Sequence, residues 1–214
     1  MSTEDTLWSM GLAQFRDATA STEPTPGGGS VAGVCATFGL GLVIMALEIS
    51  VKRKDAQRIE ETHVLIAQAR ELMARLAADV DEDVRAFRAY MAAMKLPKAT
   101  DEERALRKQA MQQATRAATQ APLTAGRHIV EALRMAERAV PLSHLHVVSD
   151  VGAGAGLLEG SLTAVLFNVD INLPSLPDAA LQQGCREERA ALADTGKVLA
   201  AQTLAGVAAK LAPG

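Results

Sequence analysis

Residues 27–47 carry no charged side chain; the first is Glu48, and Lys52, Arg53 and Lys54 follow. A stretch this long and uncharged is either a membrane span with basic residues on one side or the helix at the centre of a bundle. Gly28, Gly29, Ser30, Gly33, Ala36, Thr37, Gly39 and Gly41 dilute its apolarity. No second comparable segment is apparent, and the remaining helical stretches read as amphipathic. The expectation is a buried central helix and no membrane partner.

The residues available for packing agree. Hydrophobic residues make up 49% of the chain but aromatics only 3%, so Ala, Leu, Val and Met must fill the core. Alanine is the best helix former, and small residues let helices approach closely; β-branched and aromatic strand formers are thin outside a few short stretches. The expected fold is all-α: a helical bundle with long antiparallel helices, one domain over 1–214. A net charge of −3 from mixed acids and bases, with no basic stripe, argues against a nucleic-acid partner. Cys35 and Cys185 form no CxxC, which suits reduced thiols, and the N-terminus is polar and acidic rather than a signal peptide. Cytoplasmic localisation is expected.

Along the chain, residues 6–19 read as a first amphipathic helix with Leu7, Trp8, Leu12 and Phe15 inward. The Pro- and Gly-rich residues 21–29 read as a loop, with Ser30 as N-cap of the uncharged helix, 30–52. Residues 55–95 are helical, as one helix or two, and Pro97 ends them. Thr100 and Glu103 form a capping box for a charged helix to about 120. Pro122 and Pro141 bracket another helix, and 150–169 is a Gly- and Ala-rich one. Asp178 caps the last, to about 211.

Three places can carry chemistry. In Pro24-Thr25-Pro26-Gly27-Gly28-Gly29-Ser30 the glycines expose backbone N–H groups before a helix, a cradle for an anion or polar heterocycle, or else a close-packed turn. No Gly-Lys-Ser/Thr follows, so it is not a Walker A loop. On the long helix, Leu72, Leu76, Val80, Val84, Phe87, Met91 and Met94 form one stripe. Asp83 falls within it, Asp79 at its edge, and Asp81 on the opposite side in reach of Arg85. A carboxylate on an apolar stripe is either a buried bridge or a functional group, and burial would raise its pKa toward the range of a general acid. The third place runs from Ser149 and Asp150 through Gly152, Gly154 and Gly156 to Asn168 and Asn172. Its spacing is wrong for a dinucleotide fingerprint, and no further βαβ unit follows. Asn168 and Asn172, four apart, share a helix face that reads a heterocycle's edge or caps the helix end. His144 and His146 lack a nearby carboxylate cluster, so no metal site is expected.

These places, in this order, resemble the formiminotransferase-cyclodeaminase family. The matching pieces are residues 24–30, Asp81-Glu82-Asp83-Val84-Arg85-Ala86-Phe87, 95–98 with 100–103, Ser149-Asp150-Val151-Gly152, and Asn168-Val169-Asp170-Ile171-Asn172. The resemblance spans Phe15 to Asp178. It implies an all-helical homodimer and a tetrahydrofolate substrate, with no cofactor beyond that substrate. The second aspartate of the Asp-x-Asp pair, here Asp83, would be the catalytic acid. Gly27, Gly28, Gly29, Ser30, Ser149, Asp150, Asn168 and Asn172 would line the folate site. Lys95, Arg53 and Lys54 are candidates for the folate's glutamate tail, or are solvated charges at helix ends. Two departures stand out: no glycine precedes the basic pair after the uncharged helix, and Ser143, His144 and His146 replace an asparagine-rich turn. The activity implied is at the N5–N10 bridge, as cyclodeaminase or cyclohydrolase. The competing reading is a non-catalytic helical adaptor or an inactive family member.

Overall fold

The computed structural model describes residues 6–212, and among them there is no strand. A 3₁₀ turn at Leu7–Ser9 precedes α1 (Leu12–Thr19). Five long helices follow: α2 (Gly28–Val51), α3 (Ile59–Met94), α4 (Asp101–Leu142), α5 (Val148–Asn172) and α6 (Ala179–Leu211). The all-α expectation holds.

Cross-helix contacts fix the directions. Gly29 lies against Asp83 and Gly33 against Val80, while Arg70 reaches back to Glu48, so α3 runs antiparallel to α2. Asp79 meets His128 and Arg75 meets Glu131 across α3 and α4, and Gly126 sits under Leu162 and Leu166 of α5. Gly196 of α6 packs on Leu162. Helices α2, α4 and α6 therefore share one direction, and α3 and α5 the other. The closest approach is between α2 and α5. A Cβ on Gly39 would lie 2.9 Å from the Gly154 carbonyl oxygen, and one on Gly154 would collide with the Gly39 carbonyl. Only glycine permits that backbone contact.

Local signals set the starts of α4 and α6. Glu103 N–H donates to Thr100 Oγ1 (3.2 Å) and Thr100 N–H to Glu103 Oε2 (3.1 Å), the reciprocal capping box that opens α4. Asp178 accepts from the Ala180 and Leu181 N–H groups and caps α6.

Four expectations need correction. Helix α1 is short and turns little inward: Leu12 is 74% and Trp8 38% exposed, and the Trp8 indole instead donates to the Ala77 carbonyl. Ser30 is not the N-cap of α2; Gly27 is, and it supplies no side-chain cap. Pro122 and Pro141 lie inside α4 rather than bracketing a separate helix. The uncharged segment is not alone either, since 148–175 is also long and apolar enough to cross a membrane. Both helices sit in the bundle, with about two-thirds of the most apolar part of α2 and half that of α5 buried. They pack on each other through Gly39 and Gly154, and each keeps large apolar side chains exposed on its other face, among them Phe38 and Phe167.

The α2–α5 contact gives a test of the fold. Gly154→Val forces a branched side chain into backbone and should lower unfolding free energy by about 2 kcal/mol. Urea denaturation showing an unchanged midpoint would contradict the packing.

Candidate active site

The N-terminus of α2, the last third of α3 and the C-terminal end of α5 converge. Gly27 caps α2 through its backbone alone, and the first intrahelical bond runs from Val31 N–H to the Gly27 carbonyl (3.0 Å). The N–H groups of Gly28, Gly29 and Ser30 thus have no partner within the helix, and the helix dipole adds partial positive charge. From α3, Asp83 reaches this end, and Ser30 Oγ donates to its Oδ2 at 2.8 Å. From α5 comes Asn168. The absent side chain of Gly29 makes the meeting possible: a Cβ there would lie 2.6 Å from Asp83 Oδ1 and would collide with the Asn168 amide.

A cleft of about 390 Å³ opens over this junction. Phe87 and Tyr90, one and two turns beyond Asp83, give it an apolar wall; Ile171, Asn172 and Ser175 close the α5 side. Burial pushes the Asp83 carboxyl above the usual carboxylate range, and the Ser30 hydroxyl opposes this in part. The site therefore presents a carboxyl poised to hold or release a proton, donors for a polar ring, and an apolar face for stacking.

Asn172 acts differently from Asn168. Its Nδ2 donates to the Ala118 carbonyl at 2.9 Å. That carbonyl would ordinarily accept from residue 122, but Pro122 has no N–H. An amide from α5 replaces the missing helical donor, which lets α4 run through Pro122 and commits one of the two Asn172 amide hydrogens. Gly27, Gly28, Gly29, Ser30, Asp83, Asn168 and Asn172 are thus brought together.

The other candidates are elsewhere. Arg53 and Lys54 follow the far end of α2, about 34 Å along the helix from Gly28. There Arg53 pairs with Asp55 at 3.2 Å beside His144 and Lys210. Ser149 and Asp150 begin α5, about 27 Å along it from Asn168. Lys95 is exposed at the C-cap of α3, about 18 Å along it from Asp83. Asp79 does not join Asp83; its Oδ2 lies 2.6 Å from His128 Nδ1, and burial raises its carboxyl. Asp81 accepts from Thr6 Oγ1 at 2.6 Å, while Arg85 pairs with Glu82 rather than with Asp81. Met94, placed on the apolar stripe, is exposed.

The family model for formiminotransferase-cyclodeaminase matches residues 11–191. The chain belongs to this family. It is 33% identical to a methenyltetrahydrofolate cyclohydrolase of Methylorubrum extorquens, over 86% of this chain and 90% of that protein. It is 35% identical to the formimidoyltransferase-cyclodeaminase of Gallus gallus over 78% of its length, yet it spans only 31% of that longer protein. The crystal structure of a formiminotetrahydrofolate cyclodeaminase from Thermotoga maritima has the same fold, with a TM-score of 0.83 at 22% identity, covering 94% of this chain and 98% of the other.

Two expected outcomes follow from the geometry. Asn172→Ala leaves a carbonyl short of its donor and should cost about 1–2 kcal/mol. In a Pro122→Ala background the helix supplies that donor itself, so the same change should cost measurably less. Equal costs in a double-mutant cycle would refute the link. The second concerns pH. The folded protein holds the Asp83 proton more tightly than the unfolded chain, so stability falls as pH rises from the ordinary Asp range through the raised value. Asp83→Asn removes that loss. Its melting temperature relative to wild type should climb across this window and then level off.

Proposed function

We propose that the chain is a one-carbon folate enzyme acting on the N5–N10 bridge of tetrahydrofolate. It would serve as a methenyltetrahydrofolate cyclohydrolase or a formimidoyltetrahydrofolate cyclodeaminase. The observation that carries this reading is Asp83: a carboxyl with a raised pKa, hydrogen-bonded to Ser30 in an open cleft, in a chain of this family. An adaptor has no use for a partly desolvated carboxylate in an open cleft.

The same carboxyl serves either reaction. In the hydrolytic direction, the Asp83 carboxylate takes a proton as water adds to the methenyl carbon. The acid so formed protonates the departing nitrogen as one C–N bond opens, and the carbinol proton leaves to solvent as the formyl carbonyl forms. In cyclodeamination, N10 gives up its proton as it attacks the formimino carbon, and the amino group takes one as it leaves as ammonia. Positioned proton transfer of this kind contributes about 10²–10⁴ in rate. The free N–H groups of α2 and the Asn168 amide would hold the pterin edge, and Phe87 and Tyr90 would flank its ring. Neither reaction calls for a cofactor beyond the folate.

The active form we propose is a homodimer in the cytoplasm. Phe38, Met45 and Ile49 on α2 and Leu157, Phe167 and Ile171 on α5 are large, apolar and exposed, Ile171 by 76%. A two-fold axis across α5 would set two copies antiparallel and bring Ser149 and Asp150 of one toward the Asn168 end of the other. Light scattering at micromolar concentration should report a dimer; a monomer with full activity would contradict this.

Absorbance of the methenyl form, followed with each substrate in turn, tests the activity. Asp83→Asn should lower turnover by about 10² or more while folate still binds, and Asp81→Asn should change it little. Equal activity of the two variants would remove Asp83 from its role.

A further inference from the structure

Residues 6–26 are tied to the bundle at their two ends. Among the described residues, two hydrogen bonds join this stretch to the rest of the chain. Thr6 Oγ1 donates to Asp81 Oδ1 at 2.6 Å, and the Trp8 indole donates to the Ala77 carbonyl at 3.1 Å. Both acceptors lie on α3, about one turn apart. At the other end Pro26 is buried, and the chain enters α2. Between Gly11 and Pro24 every residue is exposed except Phe15 and Ala18, which are half-buried.

Helix α1, in the middle of the stretch, has little to hold it by itself. It has 8 residues and no side-chain N-cap. Isolated helices shorter than about 12–15 residues are marginal in water, and Leu12 lies in solvent, so apolar burial adds little. The helix therefore depends on both ends of the stretch being held. Release of the Thr6–Trp8 end would free the chain as far as Pro26.

That chain is part of the site. Pro24 and Thr25 line the Asp83 cleft, and Thr19, Glu23 and Pro24 line a groove of about 660 Å³ beside it, between α2 and α5. Helices α2, α3 and α5 supply most of the cleft; the wall at Pro24 and Thr25 is the part whose position depends on a strand of chain. Asp81 and Asp83 are two residues apart and so point to opposite sides of α3. One helix thus presents the carboxyl to the cleft and, from another face, holds the segment that walls it.

We infer that residues 6–26 form a strap latched on α3 by Thr6 and Asp81, and that the latch positions the Pro24–Thr25 wall against bound substrate. Thr6 and Asp81 are then positioning residues for substrate affinity. The inference rests on the folate reading of the Asp83 cleft for the identity of that substrate. Thr6 and Trp8 precede residues 11–191, so the latch joins a residue ahead of the family match to one within it.

Trp8 is the only tryptophan in the sequence, so its fluorescence reads the latch directly. Asp81→Leu and Thr6→Val remove the hydrogen bond, while Asp81→Asn keeps an acceptor. In the free protein, Asp81→Leu and Thr6→Val should each raise acrylamide quenching of Trp8. They should also speed amide hydrogen exchange across residues 12–25 while leaving α3 and α5 unchanged. In turnover they should raise KM about fivefold, the scale of one lost hydrogen bond, at unchanged kcat. Asp81→Asn should stay within about twofold of wild type in each reading. If no folate is turned over but quenching and exchange respond as stated, the strap and its latch stand and the folate reading of Asp83 falls. Exchange across 12–25 that ignores Asp81→Leu overturns the inference. So does a KM that stays constant while exchange rises, or a fall in kcat that Asp81→Asn shares.

Discussion

The site depends on a side chain that is missing. At Gly29 three helices come so close that a methyl group would strike both Asp83 and Asn168. Without it, the α2 N-terminus, with its unpartnered N–H groups, lies directly against a carboxyl from α3 and an amide from α5. The bundle follows the same rule elsewhere. Gly39 and Gly154 bring α2 and α5 into backbone contact, and Gly33 admits Val80 of α3. The glycines of the uncharged helix thus lower its apolarity and set the distances at which Ser30, Asp83 and Asn168 meet.

Opposed influences act on the proton at that junction. Burial raises the Asp83 carboxyl, while the Ser30 hydroxyl stabilises the anion. The N-terminal end of the α2 dipole also favours negative charge. A group held between such influences can take a proton from an adding water and return it to a departing nitrogen without a second residue. The apolar walls at Phe87 and Tyr90 serve this balance as well as any ring they stack on, because they keep the dielectric around the carboxyl low.

What the sequence disclosed was what helical phase and caps determine. Asp83 is marked by falling on a stripe with Leu76, Val80 and Val84, all buried. Thr100 with Glu103, and Asp178, announce helix starts that are present. What it hid depends on partners far along the chain. Pro122 reads as a break because the amide that replaces its donor comes from Asn172, on another helix. Ser30 reads as a cap because its true partner is 53 residues away. A motif list also carries no distances. Nothing in the motifs shows that Arg53, Lys54, Ser149 and Asp150 lie far from Asp83 within one chain; the rise of α2 and α5 does.

The central claim is that Asp83 is a carboxyl whose proton is held by its surroundings above the ordinary range. The most direct measurement is a carbon-13 NMR titration of the aspartate carboxyl carbons, with Asp83→Asn used to assign the signal. The account predicts that Asp83 titrates above the usual aspartate value of about 3.9, and that Ser30→Ala, by removing the donor to its anion, moves the titration higher still. An Asp83 carboxyl that titrates at or below that value, and does not respond to loss of the Ser30 hydroxyl, would contradict it.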